Sequence, residues 1–205
     1  MHQPTALVQF RQHLSKHIAL TDEEFAIVCS FAESISVKKK TRFLLAGEVC
    51  HYEAYIVKGC MREYLTDDSG HEHVVHIAVD DWWVGDMMSF LTGNPASYSI
   101  DALEDCELIV FERQRESDLL ARLPKMERFF KLLIQNAYIA LQNRMVSSMS
   151  HSAEMRYLML IKKNPQLELR VAQQYIASYL GITPEALSRI KRKIIENDKS
   201  KGSLA

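Results

Sequence analysis

Glycine and proline are scarce in this chain, seven and five of 205 residues. Collagen-like repeats need glycine at every third position and disordered tails are rich in both residues, so neither describes it. No period of 20–50 residues recurs, which excludes a repeat array. Cysteine is scarcer still: Cys29, Cys50, Cys60 and Cys106 stand alone, with no C-x-x-C pair for zinc, thioredoxin-like redox chemistry or an iron–sulfur cluster. They are expected to be buried small hydrophobes in a reducing compartment. A long apolar run is missing too. The longest uncharged stretch, Met87 to Ile100, is broken by Gly93, Asn94 and Pro95 and by several Ser and Thr. It cannot supply the roughly 20 apolar residues of a membrane span. The start, MHQPTALVQFRQH, lacks the basic opening and apolar middle of a secretory signal. With 47% hydrophobic and 25% charged residues, the expectation is a cytoplasmic protein of one or two domains with no membrane partner.

An excess of one charge is absent overall, at net −1, but the halves differ. Residues 151–205 carry ten Lys and Arg against five acids, a balance of +5, which leaves −6 on residues 1–150. A basic C-terminal quarter on an acidic body points to nucleic acid as the partner of that quarter.

Leu20 to Phe31 reads as a short amphipathic helix with Thr21 or Asp22 as its N-cap. From Thr41 to Glu112, turn signals recur every 10–13 residues between β-branched and aromatic runs such as YIVKGCMREYL, HVVHIAV and ELIVF. That rhythm predicts an antiparallel sandwich or barrel. From Pro124 the period becomes helical. Phe130, Ile134, Ala137, Leu141 and Met145 form one stripe, and Phe129, Leu132, Leu133 and Tyr138 widen it. A helix apolar around so much of its circumference needs cover on two sides, from its own barrel and from a second copy of itself. A helix buried wholly within a monomer is the alternative. Another helix is expected from about Ala153 to Lys163, stopped by Asn164-Pro165.

The most specific stretch is Gln173 to Arg192, QQYIASYLGITPEALSRIKR. A helix-turn-helix needs a small residue where its helices cross and a residue tolerant of positive φ in the turn. Ala177 and Gly181 stand in those places. Ile176, Leu180, Ile182, Leu187 and Ile190 are spaced to share a core, Thr183 suits an N-cap, and Pro184 suits the first turn. With Leu187, Ile190 and Ile194 inward, Glu185, Ser188, Arg189 and Arg192 share the outward face. There, Arg can pair with guanine O6/N7, Glu can accept from cytosine N4, and Ser and Arg can bind phosphate. A solvated charged face on a generic helical hairpin is the bland alternative.

The order of N-terminal helix, β-roll, long helix and helix-turn-helix, closed by QQYIASYLGITPEALSRIKRK, resembles the cyclic-AMP receptor/fumarate–nitrate regulator (Crp/Fnr) family of bacterial transcription factors. The resemblance implies an α+β protein: a cyclic-nucleotide-binding-like jelly roll over 1–123, a dimerisation helix over 124–150 and a winged-helix-like DNA-binding domain over 151–205. It implies a homodimer joined through Phe130, Ile134, Ala137, Leu141 and Met145 on a two-fold symmetric promoter. Base contacts are expected from Glu185, Ser188 and Arg189. Phosphate contacts are expected from Gln174, Thr183, Arg192 and Lys193, with Ser188 able to serve there as well. RNA polymerase and a small-molecule effector are further candidate partners, and no enzymatic activity is expected.

The chain departs from that pattern at the nucleotide pocket. Members that bind nucleotide carry Gly-Glu and, some ten residues later, Arg-Ser. Here Gly85-Asp86-Met87 is followed by Ala96-Ser97. Asp86 is expected to reach a ribose hydroxyl and Ser97 a phosphate, but Ala96 replaces the arginine. Desolvating a phosphate without its bidentate partner is unfavourable, so cyclic nucleotide is not expected as a cofactor unless another arginine, such as Arg62, enters the pocket. The N-terminal cysteine cluster of the iron–sulfur members is absent as well. Past the recognition helix only Asn197 to Ala205 remain, enough for a rudimentary wing at most.

A cupin-like protein that binds a metal or small molecule, or acts as an enzyme, with a helical oligomerisation tail is the rival reading. It rests on His71, His73 and His76. In a strand His71 and His73 share a face and His76 opposes them, and no acid follows at cupin spacing, so no metal is expected. Trp82-Trp83 is expected to serve core or dimer packing, Lys38 to Lys40 a solvated turn, and Met87, Met88, Met145, Met149, Met155 and Met159 to fill gaps near the interdomain contact.

Overall fold

A computed structural model describes residues 5–202, with side chains through Asn197. Two N-terminal helices, α1 (Thr5–Ser15) and α2 (Asp22–Phe31), lead into eight strands. These are β1 (Ala32–Val37), β2 (Arg42–Leu44), β3 (Tyr52–Lys58), β4 (Met61–Thr66), β5 (Glu72–Ala78), β6 (Trp82–Val84), then β7 (Ser99–Ala102) and β8 (Cys106–Glu112), with helix α3 (Met87–Thr92) between β6 and β7. Six helices follow: α4 (Arg113–Arg122), α5 (Lys125–Ser150), α6 (Ala153–Lys163), α7 (Leu167–Arg170), α8 (Gln173–Tyr179) and α9 (Pro184–Gly202).

The strands form two four-stranded antiparallel sheets, ordered β1-β8-β3-β6 and β2-β7-β4-β5. Alternation along each strand sends its side chains to two different cores. On β3, Ala54 and Ile56 point between the sheets, where they meet Met61, Phe90, Ile100, Leu108 and Val110. Tyr55 and Val57 point the other way, onto Phe10 and Leu14 of α1, Phe25 of α2 and Met126 and Phe129 of α5. A third core lies within the C-terminal helices, around Tyr157, Leu167, Ile176, Ala177 and Leu187.

The N-cap of α2 is Thr21, in a complete capping box: its hydroxyl accepts from Glu24 N–H and the Glu24 carboxylate accepts from Thr21 N–H. Strand pairing begins at Ala32, ahead of the expected start near Thr41, because β1 finds its partner only in distant β8. Lys40 takes the left-handed conformation, φ 68°, in the expected turn. For the wing, expected to be missing or rudimentary, α9 continues through Gly202 in the described part of Asn197–Ala205, and the last three residues lie outside it.

α1 is fastened to the roll by a polar cluster inside apolar surroundings. Trp83 Nε1–H donates to His13 Nε2 at 3.0 Å, His13 Nδ1 lies 2.7 Å from Asp81 Oδ1, and Tyr55 O–H donates to the same carboxylate at 2.9 Å. Lys16 pairs with the other Asp81 oxygen. The Trp83 bond requires a bare Nε2 and therefore neutral His13. Burial lowers the His13 pKa, outweighing Asp81, while Lys16 and His17 lower it further. This contribution to stability is full above the unfolded value of about 6.5 and is lost as pH falls through the lower folded value. In thermal unfolding between pH 7.5 and 5, His13→Gln should therefore show a shallower decline than the wild type. Parallel declines would remove His13 from this role.

Candidate nucleic-acid interface and the β-roll pocket

The helix-turn-helix is built by local signals. α8 ends on Leu180, and Gly181 turns the chain with φ 67°, a conformation that a side chain at this position would disfavour by about 1–2 kcal/mol. Ala177 is fully buried at the crossing. Thr183 caps the next helix, its hydroxyl accepting from Ala186 N–H at 3.2 Å, and Pro184 opens α9. Leu187 is buried, and Ile182, Ile190 and Ile194 pack against the same core. Glu185, Ser188, Arg189, Arg192 and Lys193 are exposed on α9, as are Thr183 and Gln174.

Ser188 and Lys193 reach partners on other helices of the domain. Ser188 Oγ accepts from Gln173 Nε2 at 2.8 Å, which leaves its own hydrogen to donate. Lys193 pairs with Glu154 of α6 at 2.7 Å. The Glu185 carboxyl is held below the usual range by its own backbone N–H, by the Thr183 hydroxyl and by the Arg189 charge, so it is an acceptor at neutral pH.

The expected dimer stripe divides in two. Phe130 is half-buried and packs edge-on against Phe111 and Phe129, within its own chain. Ile134, Ala137, Leu141 and Met145 are exposed, Leu141 at 62%, and Tyr138, Ile139, Val146 and Met149 extend the apolar surface.

The pocket differs from the expectation in three respects. Asp86 is buried and already bonded: Oδ1 caps α3 by accepting from Ser89 N–H at 3.0 Å, and Oδ2 accepts from Ser97 N–H at 2.9 Å. The carboxylate thus closes its own loop, each of its oxygens accepting one backbone N–H. Ser97 itself is exposed, and Met87 is half-buried. Ala96 is buried in the intersheet core, bridged to the Gly47 and Glu48 backbone at 2.8 Å on both sides. Arg62 does not enter the pocket; it faces the helix-turn-helix.

Glu53 is the residue that sequence reasoning missed. It sits on the helix-facing side of β3, fully buried, with Oε1 lacking a hydrogen-bond partner. A Cβ on Gly85 would lie 2.7 Å from that oxygen, so the glycine makes room for a carboxyl group. Burial, together with Glu63, Glu116 and Asp86, pushes the Glu53 pKa well above the carboxylate range. The available signal was a lone acid inside YEAYIVK, where every residue from Ala54 to Val57 is apolar. Nearby, the space bounded by Phe90, Phe111, Glu116 and Phe130 closes to about 10 Å³, room for one water molecule.

Other expectations resolve plainly. Trp83 is core, whereas Trp82 is exposed, stacked under Lys163 Nζ at 5.1 Å and beside His76. The six methionines expected to fill gaps are half-buried or exposed, and the fully buried ones are Met61 and Met126. His73 pairs with Asp67 at 2.7 Å, His71 with Ser69, and His76 lies 3.6 Å from Glu63. Among the described residues no group of three or more potential ligands is gathered for a metal. Burial raises the Cys50 and Cys106 thiols to about 11 and Cys60 to about 12.

The architecture is thus a jelly roll with a short helix between its sixth and seventh strands, a long helix across its face and a helix-turn-helix behind it. Residues 34–122 match the family model of the cyclic nucleotide-binding domain. FixK2 from Bradyrhizobium japonicum superposes with a TM-score of 0.71 at 17% identity, over 82% of this chain and 86% of that one. The c-di-GMP responsive global regulator CLP of Xanthomonas campestris gives 0.68 at 15% identity, over 87% and 93%. The catabolite activator protein of Thermus thermophilus gives 0.53 at 22%, over 88% and 86%. No curated protein matches the sequence. These structural neighbours are Crp/Fnr-family regulators, and the chain has their fold. Among the described residues no helix is long and apolar enough to cross a membrane.

Proposed function

We propose that this protein is a homodimeric, cytoplasmic transcriptional regulator of the Crp/Fnr type, without enzymatic activity, that reads a two-fold symmetric promoter site with α9. The observation that carries the reading is the exposed face of α9, where Glu185, Ser188, Arg189 and Arg192 stand together on a rigid capped helix. Glu185, Ser188 and Arg189 read base edges, while Gln174, Thr183 and Arg192 hold phosphates. Lys193 joins them by exchanging Glu154 for a phosphate. Arg189→Ala should weaken the selected site by about 1–3 kcal/mol and relax preference at one base pair of each half-site. Arg192→Ala should weaken all sequences alike and lower the salt slope by about 1. Binding isotherms over a salt series decide between these roles, and equal sequence-blind losses in both variants would refute them.

The regulator works without cyclic AMP. Asp86 is engaged in its own loop, Glu53 occupies the space over Gly85, and Ala96 is core. An anion there would meet the buried acids Glu53 and Asp86, while the guanidinium at the end of α3, that of Arg113, already donates to Phe90 O. Calorimetric titration with cyclic AMP and cyclic GMP should be flat to about millimolar ligand, and a micromolar dissociation constant would overturn the claim. Ala96→Arg should destabilise the roll by overpacking, by about 1–3 kcal/mol, without creating nucleotide binding.

A further inference from the structure

The helix-turn-helix is fastened to the rest of the chain by four arginines, each bridging elements that are distant in sequence. Arg156 of α6 donates to Ser148 O and His151 O at the end of α5, at 3.1 and 3.4 Å, and to Leu180 O at the end of α8, at 2.9 Å. Arg170 of α7 grips two roll carboxylates, Asp80 at 2.6 Å and Glu104. Arg62 of β4 pairs with Glu72 at 2.5 Å and Asp101 at 2.9 Å, and lies between the rings of Tyr64 and Tyr175, 4.1 and 4.3 Å from their centroids. Arg144 of α5 donates to Val75 O and lies 4.5 Å from the Tyr179 ring. Ser178 adds a direct seam, its hydroxyl accepting from Val74 N–H at 2.9 Å.

This seating leaves the DNA-reading face open. The residues of α8 turned to the roll are Tyr175, Ser178 and Tyr179, at i, i+3 and i+4, while Gln174 and the outward side chains of α9 remain exposed. Arg156 has a particular place in it, because one guanidinium ties the end of the long helix to the end of the first helix of the DNA-binding module.

We infer that Arg156 and Arg170 are positioning residues for DNA binding. They hold the helix-turn-helix at one angle to both α5 and the roll, so that a dimer meets its operator already set, with no effector needed to set it. The inference rests on the dimeric DNA-binding reading above. Its physical basis is that the second half-site is bound intramolecularly, at an effective concentration that falls when the joint between modules loosens, and that ordering a loose joint opposes binding.

The test compares a two-fold symmetric duplex, selected from a random pool by the wild-type protein, with the same duplex carrying one scrambled half-site. Arg156→Ala and Arg170→Ala should each lose tenfold or more on the full site and stay within twofold of wild type on the single half-site. Arg170→Lys, which keeps the charge but not the fork, should fall between. Trp82 emission should shift in Arg170→Ala as Lys163 leaves its ring. Equal losses on both duplexes would mean that the arginines support the fold or touch DNA, and would overturn the inference. Unchanged or tighter full-site binding would overturn it too, by showing that the joint does not set the reading geometry. If the wild type selects no duplex, the DNA-binding reading itself fails and this inference falls with it, a result separate from any behaviour of the variants.

Discussion

Leu141→Glu is expected to convert the protein into monomers and to abolish useful operator affinity. Leu141 is 62% exposed near the middle of the outer stripe of α5, with Ile134, Ala137 and Met145 on the same face and Tyr138, Ile139 and Val146 beside it. A continuous apolar face of this kind on one chain marks a surface that another molecule covers, and a two-fold partner would bring Leu141 close to its own copy. A carboxylate there enters the seam beside its symmetry mate, where both desolvation and like-charge repulsion oppose association. Losing the dimer removes bivalency, so affinity for a two-half-site operator should fall roughly a hundredfold or more, while affinity for one half-site changes little. Light scattering and binding to the two duplexes measure both quantities. A mutant that stays dimeric would place the seam elsewhere, and a wild type that is monomeric at micromolar concentration would end the dimer proposal.

Glu53→Gln is expected to stabilise the protein, and increasingly so as pH rises. The wild-type carboxyl is fully buried, lacks a partner for Oε1, and faces Glu63, Glu116 and Asp86. Because its folded pKa is raised, its contribution is intact below the ordinary carboxylate value and is lost as pH rises toward the folded one. Each pH unit in that window removes about 1.4 kcal/mol. Glutamine has nearly the same shape and does not titrate. Denaturant unfolding at pH 7 should show a clear gain, shrinking toward zero at pH 4.5. A gain independent of pH, or a loss, would mean that Glu53 is ionised in the fold. The group acts in the opposite sense to His13, whose contribution is lost on acidification, so the two together narrow the pH range of highest stability.

What could be read from the sequence was what neighbours decide. Ala177, Gly181, Thr183 and Pro184 lie within eight residues of one another, and each acts through its own backbone or the next turn. The helix-turn-helix, the bounds of α6 and the start of α5 follow from such signals. The long-range features were not readable. β1, AESISV, carries little hydrophobicity of its own and is a strand because β8 pairs with it. α1 was passed over although Phe10, His13 and Leu14 are spaced to bury one face. α4 escaped because Leu119 is its single buried residue. Asp86 caps α3 and holds Ser97 N–H, a role within its own loop that the sequence alone does not separate from a ligand contact, since both call for the same side chain. The arginine joint was out of reach for a simpler reason: Arg170 and Asp80 are 90 positions apart, and a charge does not announce its partner.

β5 is the last strand of its sheet, and α8 lies along it with Ser178 accepting the Val74 N–H. A strand in that position offers unpaired backbone groups to any other strand, which natural proteins guard against by covering or charging it. Here the cover is the helix-turn-helix module itself. A roll cut free of the last four helices would bare that strand, together with the apolar surface of Ile77 and Cys60 that the third core now hides. Such a fragment should associate edge to edge and precipitate where the intact chain stays dispersed, so the roll depends on its C-terminal helices for solubility.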